Sequence, residues 1–153
     1  MKAICIIDTS VFCNILDVPN RNQQREEAQK QLQEFLITGV TLLLPMTTIY
    51  ETGNHIAQLN NGQVRRQKAL QFVEQARLAL EGKAPWTPTP MPEGREMLSW
   101  LDQFPDSAMQ GIGFGDLAIT QIFKRTCQLN QGRRVFIWSY DGELQVYDRP
   151  ALI

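Results

Sequence analysis

Four acidic residues carry the strongest chemical signal in this sequence, and each stands shortly after an apolar run or a glycine-containing segment: Asp8, Glu51, Asp116 and Asp141. A carboxylate at the end of a buried strand is costly unless a cation or hydrogen-bond donors neutralise it. Neighbouring carboxylates also raise one another's pKa values unless a cation lies between them. Sites made only of oxygen ligands suit Mg²⁺ or Mn²⁺, which polarise phosphoryl oxygens and orient water. The sequence therefore predicts a divalent-metal site built from these acids and suited to phosphoryl chemistry.

Short apolar runs predict the strands that must position the four acids. Residues 3–7, 41–44 and 134–138 are largely apolar, as expected for strands buried on both faces of a parallel sheet. Ligands bind outside the carboxyl ends of such strands. Asp8 and Asp141 follow two of these runs, and the other two acids stand near predicted helix starts. We expect all four to face one crevice.

Between the predicted strands, apolar residues recur at helical spacing, which predicts helices there. The predicted helices cover residues 11–16, residues 23–38 with Gly39 as a stop, a segment that carries Glu51 after a cap at Thr47 or Thr48, residues 69–80, residues 96–104 with Met97, Leu98 and Leu101 inward, and a segment that opens at Asp116. The proline-rich residues 85–92 predict a short edge strand or an extended connector, and residues 145–147 a further edge strand. The alternation predicts an α/β fold, a three-layer α/β/α sandwich with a central parallel sheet of about four to five strands. Residues 1–153 are expected to form one domain.

Composition narrows the class of protein without naming a function. The chain is 43% hydrophobic and 20% charged, as in an ordinary globular protein, and its formal net charge of -1 gives no global positive field for nucleic acid. A polyanionic partner would have to bind through a metal or through local basic patches such as Arg133-Arg134. The three cysteines are odd in number and show no C-x-x-C spacing, which argues against disulfide and zinc frameworks. No apolar stretch approaches the roughly 20 residues that span a bilayer, so a cytoplasmic location is expected.

Each acid also has a structural explanation when it is considered alone. Asp8 and Asp116 are suitable helix N-caps, and Asp141-Gly142 is a turn dipeptide. Glu51 is one acid among 16 and could be a solvated surface charge. The structural account needs four coincidences, and the shared site needs only one cause.

Four motifs around these acids resemble, in order along nearly the whole chain, those of the PIN-domain nucleases, the family that includes the VapC-type ribonuclease toxins. The motifs are residues 6–11, with Asp8 before Thr9 and Ser10; residues 45–51, which end on Glu51; residues 115–119, in which Asp116 leads an apolar helix; and residues 139–144, with Ser139 two residues before Asp141.

The resemblance implies a metal-dependent endonuclease that cuts RNA and leaves a 5′-phosphate and a 3′-hydroxyl. It implies Asp8 and Asp116 as principal ligands of Mg²⁺ or Mn²⁺, with Glu51 and Asp141 completing the acidic pocket. Three hydroxyl residues are then expected to orient the carboxylates as second-shell donors: Thr9, Ser10 and Ser139. The same resemblance implies a toxin of a toxin–antitoxin pair, with an antitoxin protein and a second copy of the chain as partners.

Some residues depart from the family pattern or extend it. Thr120 stands where family members often carry a second acid, so occupancy by one metal or by two stays open. His55 and Asn54 follow Glu51 by about one helical turn. We expect Asn54 to contact the pocket and His55 to face solvent or to cap.

Two rival functions remain. A phosphatase with Asp8 as nucleophile usually needs a second Asp two residues later, where Ser10 stands. A PIN-like module that binds RNA or a protein without cutting is the alternative from another class, and the presence of all four acids argues against it.

Overall fold

The computed structural model describes residues 2–153, in which five strands and seven helices alternate along the chain. The strands are β1 Ile4–Ile7, β2 Thr41–Leu44, β3 Trp86–Pro88, β4 Val135–Trp138 and β5 Asp148–Arg149. The helices are α1 Thr9–Ile15, α2 Arg25–Thr38, α3 Met46–Ala57, α4 Gly62–Leu80, α5 Gly94–Met109, α6 Phe114–Leu129 and α7 Gly142–Gln145.

The strands form one sheet in the order β3-β2-β1-β4-β5. The first four are parallel to one another, and β5 pairs antiparallel with β4. The central strand β1 ends beside β4, with Ile7 opposite Trp138. The α/β class and the mostly parallel sheet are therefore confirmed, and the proline-rich segment contributes an edge strand, β3.

Side chains of β1 divide the core into two layers. Cys5 and Ile7 pack with buried residues of α1 to α4, whereas Ile4 and Ile6 pack with α5, α6 and α7. Successive side chains of a strand point to opposite faces, so β1 contributes to both cores. Full burial of each isoleucine contributes roughly 1.5–3 kcal/mol relative to an exposed one. Helices on both faces of the sheet make a three-layer α/β/α sandwich.

The strand order creates the crevice in which a site is expected. From β1 the chain runs to β2 and β3 on one side, and β4 lies on the other side. Ligands of open α/β sheets bind at such a reversal, outside the carboxyl ends of the strands. Asp8 and Ser139 are the residues that directly follow β1 and β4.

The start of α3 differs from the prediction. Pro45 is the N-cap, so neither Thr47 nor Thr48 caps this helix. Thr48 instead donates a buried hydrogen bond of 2.8 Å from its hydroxyl to the carbonyl of Ile7. This bond fixes α3 against the carboxyl end of β1, where the crevice lies.

Three further predictions were wrong in detail. α6 begins at Phe114 after an N-cap at Gly113, so Asp116 lies in its first turn and does not open it. The predicted strand at residues 145–147 falls at the end of α7 and beyond, and the edge strand is β5. α5 continues through Pro105 to Met109.

The inward face of α5 also differs. Leu98 and Leu101 are 62% and 49% exposed, whereas Trp100 is buried and Met97 is packed against the core. No helix within residues 2–153 is long and apolar enough to cross a membrane.

Candidate metal centre

An open cavity of about 260 Å³ at the carboxyl edge of the sheet is lined by all four predicted acids: Asp8, Glu51, Asp116 and Asp141. They come from the end of β1, the middle of α3, the first turn of α6 and the N-cap of α7. Residues that are more than 130 positions apart in the chain line the same cavity because the sheet brings the ends of its strands together.

Asp8 is held in place by two serine hydroxyls. It is only 7% exposed, and its Oδ2 accepts hydrogen bonds from Ser10 Oγ at 2.8 Å and Ser139 Oγ at 2.7 Å. The Ser10 N–H donates to the same oxygen at 3.4 Å, which makes Asp8 the N-cap of α1. No hydrogen bond from residues 2–153 ends on Oδ1. One oxygen therefore fixes the carboxylate, and the other is left for a further partner.

The backbone after β4 directs the two serine hydroxyls toward Asp8. Ser139 Oγ accepts the Asp141 N–H at 2.9 Å, and Ser10 Oγ accepts the Tyr140 N–H at 3.0 Å. Because each hydroxyl accepts from a fixed N–H, its own proton is available to donate to the carboxylate. The network orients Asp8 and joins β1 to β4 at the crevice.

Glu51 reaches the cavity across a close approach between α3 and α6. Its Oε1 lies so near the Cα of Gly115 that a Cβ there would overlap it. Thr9 Oγ1 donates to Oε2 at 3.3 Å. Glycine at position 115 is therefore a steric requirement for the observed position of the Glu51 carboxylate.

Asp116 and Asp141 complete the lining of the cavity. Asp116 is partly buried, and Asp141 is exposed. Asp141 Oδ1 accepts the Glu143 N–H at 3.0 Å and caps the four-residue helix α7. Asp141 therefore caps a helix and lines the cavity at the same time.

Electrostatics of the cavity favour an added positive charge. The pKa of Glu51 is raised by burial first and then by the charge of Asp8, with a smaller contribution from Asp116. A hydrogen bond from the Thr9 hydroxyl opposes this shift only in part. Burial, followed by the charges of Asp8, Asp141 and Glu143, raises the pKa of Asp116. Mutual repulsion without a compensating cation is the condition that a metal ion would relieve.

The donor chemistry of the cavity fits Mg²⁺ or Mn²⁺. All four acids offer oxygen, the ligand atom that these ions prefer. Among residues 2–153, no three His, Cys, Asp or Glu side chains are already arranged to hold one ion. Mg²⁺ commonly keeps several waters and binds one or two carboxylates, so a complete protein cage is not required. The free Oδ1 of Asp8 and the raised pKa of Asp116 make these two residues the first candidates to hold such an ion.

Residues around the acids follow the prediction in part. Thr9, Ser10 and Ser139 contact the carboxylates directly, as expected. Asn54 is exposed and does not line the cavity, whereas His55 does. The fourth residue after Glu51 is offset by about 40° around the helix and the third by about 60° in the other direction, which places His55 on the cavity side.

The surroundings of the cavity favour the uncharged forms of His55 and Cys13. Burial, and then the charge of Arg21, lowers the pKa of His55, which favours the neutral imidazole. Burial raises the pKa of the Cys13 thiol to about 11, which keeps it protonated at neutral pH.

Several further residues at the cavity were not predicted from the sequence, among them Arg21 and Asn14. Arg21 lines it as an exposed cation, brought there by a loop in which Asp17 and Asn20 have positive φ. Asn14 is buried and ties the start of α2 to α1, since it donates to the Ser10 carbonyl at 2.7 Å and accepts the Gln24 N–H at 2.9 Å. Its position one turn after Ser10 was the available signal, but no periodicity marks the loop that carries Arg21.

Comparison of the chain with protein-family models, curated proteins and solved structures finds no match. The class is therefore defined by fold and site together: an α/β/α sandwich with an acidic cavity at the carboxyl edge of its parallel strands. Since folds of this kind host many functions, the function must be argued from the cavity.

Proposed function

We propose that the protein is a Mg²⁺- or Mn²⁺-dependent endoribonuclease of the PIN type. The observation that carries the proposal is the convergence of four distant acids on one cavity, where burial and neighbouring acids raise the pKa values of Glu51 and Asp116. A fold that only needed these acids as caps or surface charges would have no reason to gather them.

Asp8 and Asp116 would hold the ion, and Asp141 and Glu51 would complete its surroundings through oxygen or water. When bound, the cation would polarise the phosphoryl oxygen and lower the barrier to attack by water. Ser10 and Ser139 keep Asp8 in the orientation that ligation needs, as outer hydroxyls do in other metal sites.

Glu51 is suited to orient the attacking water. Its raised pKa makes it a better proton acceptor than an ordinary surface carboxylate. It lies against Gly115 and the backbone of the α6 first turn, which limits its freedom. Glu51 would accept a hydrogen bond from water and hold it in line with the scissile phosphorus.

Arg21 would contribute the positive charge that four acids otherwise lack. It is the cationic side chain, among residues 2–153, that lines the cavity with the acids. A local positive charge is needed to attract an RNA phosphate, because the formal net charge of the chain is -1 and gives no overall attraction. Arg21 would guide a phosphate toward the cavity without forming part of the metal site.

RNA as the substrate rests on the resemblance of the four motifs to PIN nucleases. The same resemblance supports a toxin role, with an antitoxin protein and a homodimer as partners. Cytoplasmic RNA is the corresponding target.

Incubation of the purified chain with end-labelled single-stranded RNA tests the proposal. We expect internal cleavage with Mg²⁺ or Mn²⁺, no cleavage with EDTA, and products that carry a 5′-phosphate. Single-stranded DNA of the same sequence is the matched substrate control and is expected to be cut more slowly.

Two results would redirect the assignment. RNA binding without cleavage at any divalent-ion concentration would favour the binding module. A stable acyl-phosphate on Asp8 would favour the phosphatase.

A further inference from the structure

A second cavity, of about 170 Å³, lies beside the acidic one and has a very different lining. Its walls include Tyr50, Thr89, Met91, Trp100 and Phe114, and none of the residues that line it is charged. Such a space suits a neutral ligand with a large apolar surface.

One residue of this lining, Thr89, has a hydroxyl group without a hydrogen-bond partner among residues 2–153. Thr89 is 6% exposed, and its hydroxyl oxygen is buried and accepts or donates no hydrogen bond within the described part of the chain. The Thr89 N–H is fixed by a 3.0 Å hydrogen bond to the Leu44 carbonyl at the end of β2. A buried hydroxyl without a partner is costly, so a ligand that supplies one would be favoured.

The two cavities share the helices that form their partition. On α3, Thr47 and Tyr50 line the apolar cavity and Glu51 lines the acidic one. On α6, Gly115 lines the apolar cavity and Asp116 the acidic one. Because neighbouring residues of α3 and of α6 line the two cavities, the cavities lie next to each other.

We infer that the apolar cavity binds one nucleobase of the RNA strand, next to the phosphate held at the acidic cavity. This inference rests on the proposed function and assigns its base-recognition site. Aromatic side chains bind bases by stacking, and Trp100, Phe114 and Tyr50 supply the rings. The Thr89 hydroxyl would pair with the base edge.

The chemistry of the lining favours a base over an apolar protein side chain. A leucine or phenylalanine side chain would fill the cavity but leave the Thr89 hydroxyl unpaired. A base offers a planar apolar face together with donors and acceptors on its edge. Tyr50 and Met91 are about half exposed and contact each other at 3.8 Å through the hydroxyl and the sulfur, so they can adjust at the mouth.

Binding of the four neutral ribonucleosides to the full chain, followed by NMR, tests this inference apart from catalysis. Nucleosides carry no phosphate, so neither the metal nor cleavage enters the measurement. We expect one nucleoside to shift the resonances of Thr89, Tyr50 and Phe114, and ribose to shift none of them. The Thr89→Val variant should weaken its binding about tenfold, as expected for one lost hydrogen bond. Thr87→Val, at an exposed position of β3 two residues before Thr89, should leave it unchanged.

Several outcomes would overturn the inference while leaving the nuclease proposal intact. These are equal shifts with ribose, no shifts with any nucleoside, unchanged binding in Thr89→Val, or shifts produced by phenylalanine amide instead of by nucleosides. Base binding in a chain that cuts no RNA would instead support the pocket and defeat the nuclease.

Discussion

Charged side chains at the two edges of the sheet differ in whether the chain itself supplies their partners. At the amino edge, the Arg149 guanidinium donates to the carbonyls of Cys127, Asn130 and Arg133 at 2.6–2.7 Å. Arg134 forms a two-pronged ion pair with Asp148 at 3.0 and 2.9 Å. At the carboxyl edge, four carboxylates line one cavity, and burial together with the charges of neighbouring acids raises the pKa values of Glu51 and Asp116.

Charges that are saturated by the chain contribute to folding, and charges that are left uncompensated are available to a ligand. The basic patch Arg133-Arg134 is an example of the first kind, because Arg133 also donates to the Lys2 carbonyl at 2.8 Å. The sequence suggested that this patch contacts nucleic acid. In the structure, its hydrogen bonds join the segments that precede β1 and β4. The difference between the edges is therefore a way to separate structural charges from functional ones.

The largest expected effect is on cleavage when a ligand acid loses its charge. Asp8→Asn and Asp116→Asn should each lower kcat/KM for RNA by about a thousandfold, since the several kcal/mol of metal-assisted stabilisation are lost. Both variants should remain folded by circular dichroism. Asp102→Asn, an exposed acid on α5, is the control and should cut RNA at the normal rate. Near-normal cleavage by either site variant would remove that residue from the metal centre.

The opposite edge should show the opposite pattern. Arg149→Gln should lower the free energy of unfolding by about 2–4 kcal/mol, because a guanidinium that donates to several carbonyls is replaced. Its kcat per folded molecule should stay within about twofold of the wild type. Urea unfolding together with an RNA assay measures both quantities. Arg95→Gln, at an exposed position of α5, should change neither. Lost activity in a fully folded Arg149→Gln chain would erase the distinction between the edges.

Strands with a continuous apolar run could be predicted from the sequence, and short polar strands could not. Continuous apolar runs marked β1, β2 and β4 because strands buried on both faces leave no room for polar side chains. The two-residue strand β5 is polar and too short to show a periodic pattern, and its pairing with β4 joins residues more than ten positions apart.

The acids of the site were found because each follows a recognisable element. Their partners were harder to find, since the choice of His55 over Asn54 depends on how α3 is rotated against the sheet. The Thr48 bond to Ile7 sets that rotation, and it joins residues 41 positions apart. Long-range contacts of this kind are fixed by packing and not by periodicity.

A smaller effect is expected where the backbone makes room for a carboxylate. Gly115→Ala places a Cβ on the observed position of Glu51 Oε1 and should displace that carboxylate from the cavity. Loss of one well-placed polar group should lower kcat about tenfold. Gly113→Ala is the matched control, because a Cβ at that position meets nothing within 4 Å. Equal rates in the two variants would mean that Glu51 has no part in the reaction.

The smallest expected effect is on stability and has a defined pH dependence. The pKa of Asp116 is raised in the fold, so its charged form destabilises the native state at pH 7. Asp116→Asn without metal should therefore melt about 1–3 °C higher than the wild type at pH 7. The advantage should fade as the pH falls through the raised pKa, because the wild-type carboxyl then becomes neutral as well. Thermal unfolding at pH 7 and at pH 4 measures it, and a gain that persists unchanged at pH 4 would contradict the electrostatic explanation.

Calorimetric titration with Mn²⁺ tests most directly the claim that the carboxyl edge is a metal site. The wild-type chain should bind Mn²⁺ with a saturable heat, Asp8→Asn and Asp116→Asn should lose it, and Asp102→Asn should retain it. If the wild type shows no saturable binding at millimolar Mn²⁺, or if both site variants bind as well as it does, the uncompensated carboxylates are not a divalent-metal centre.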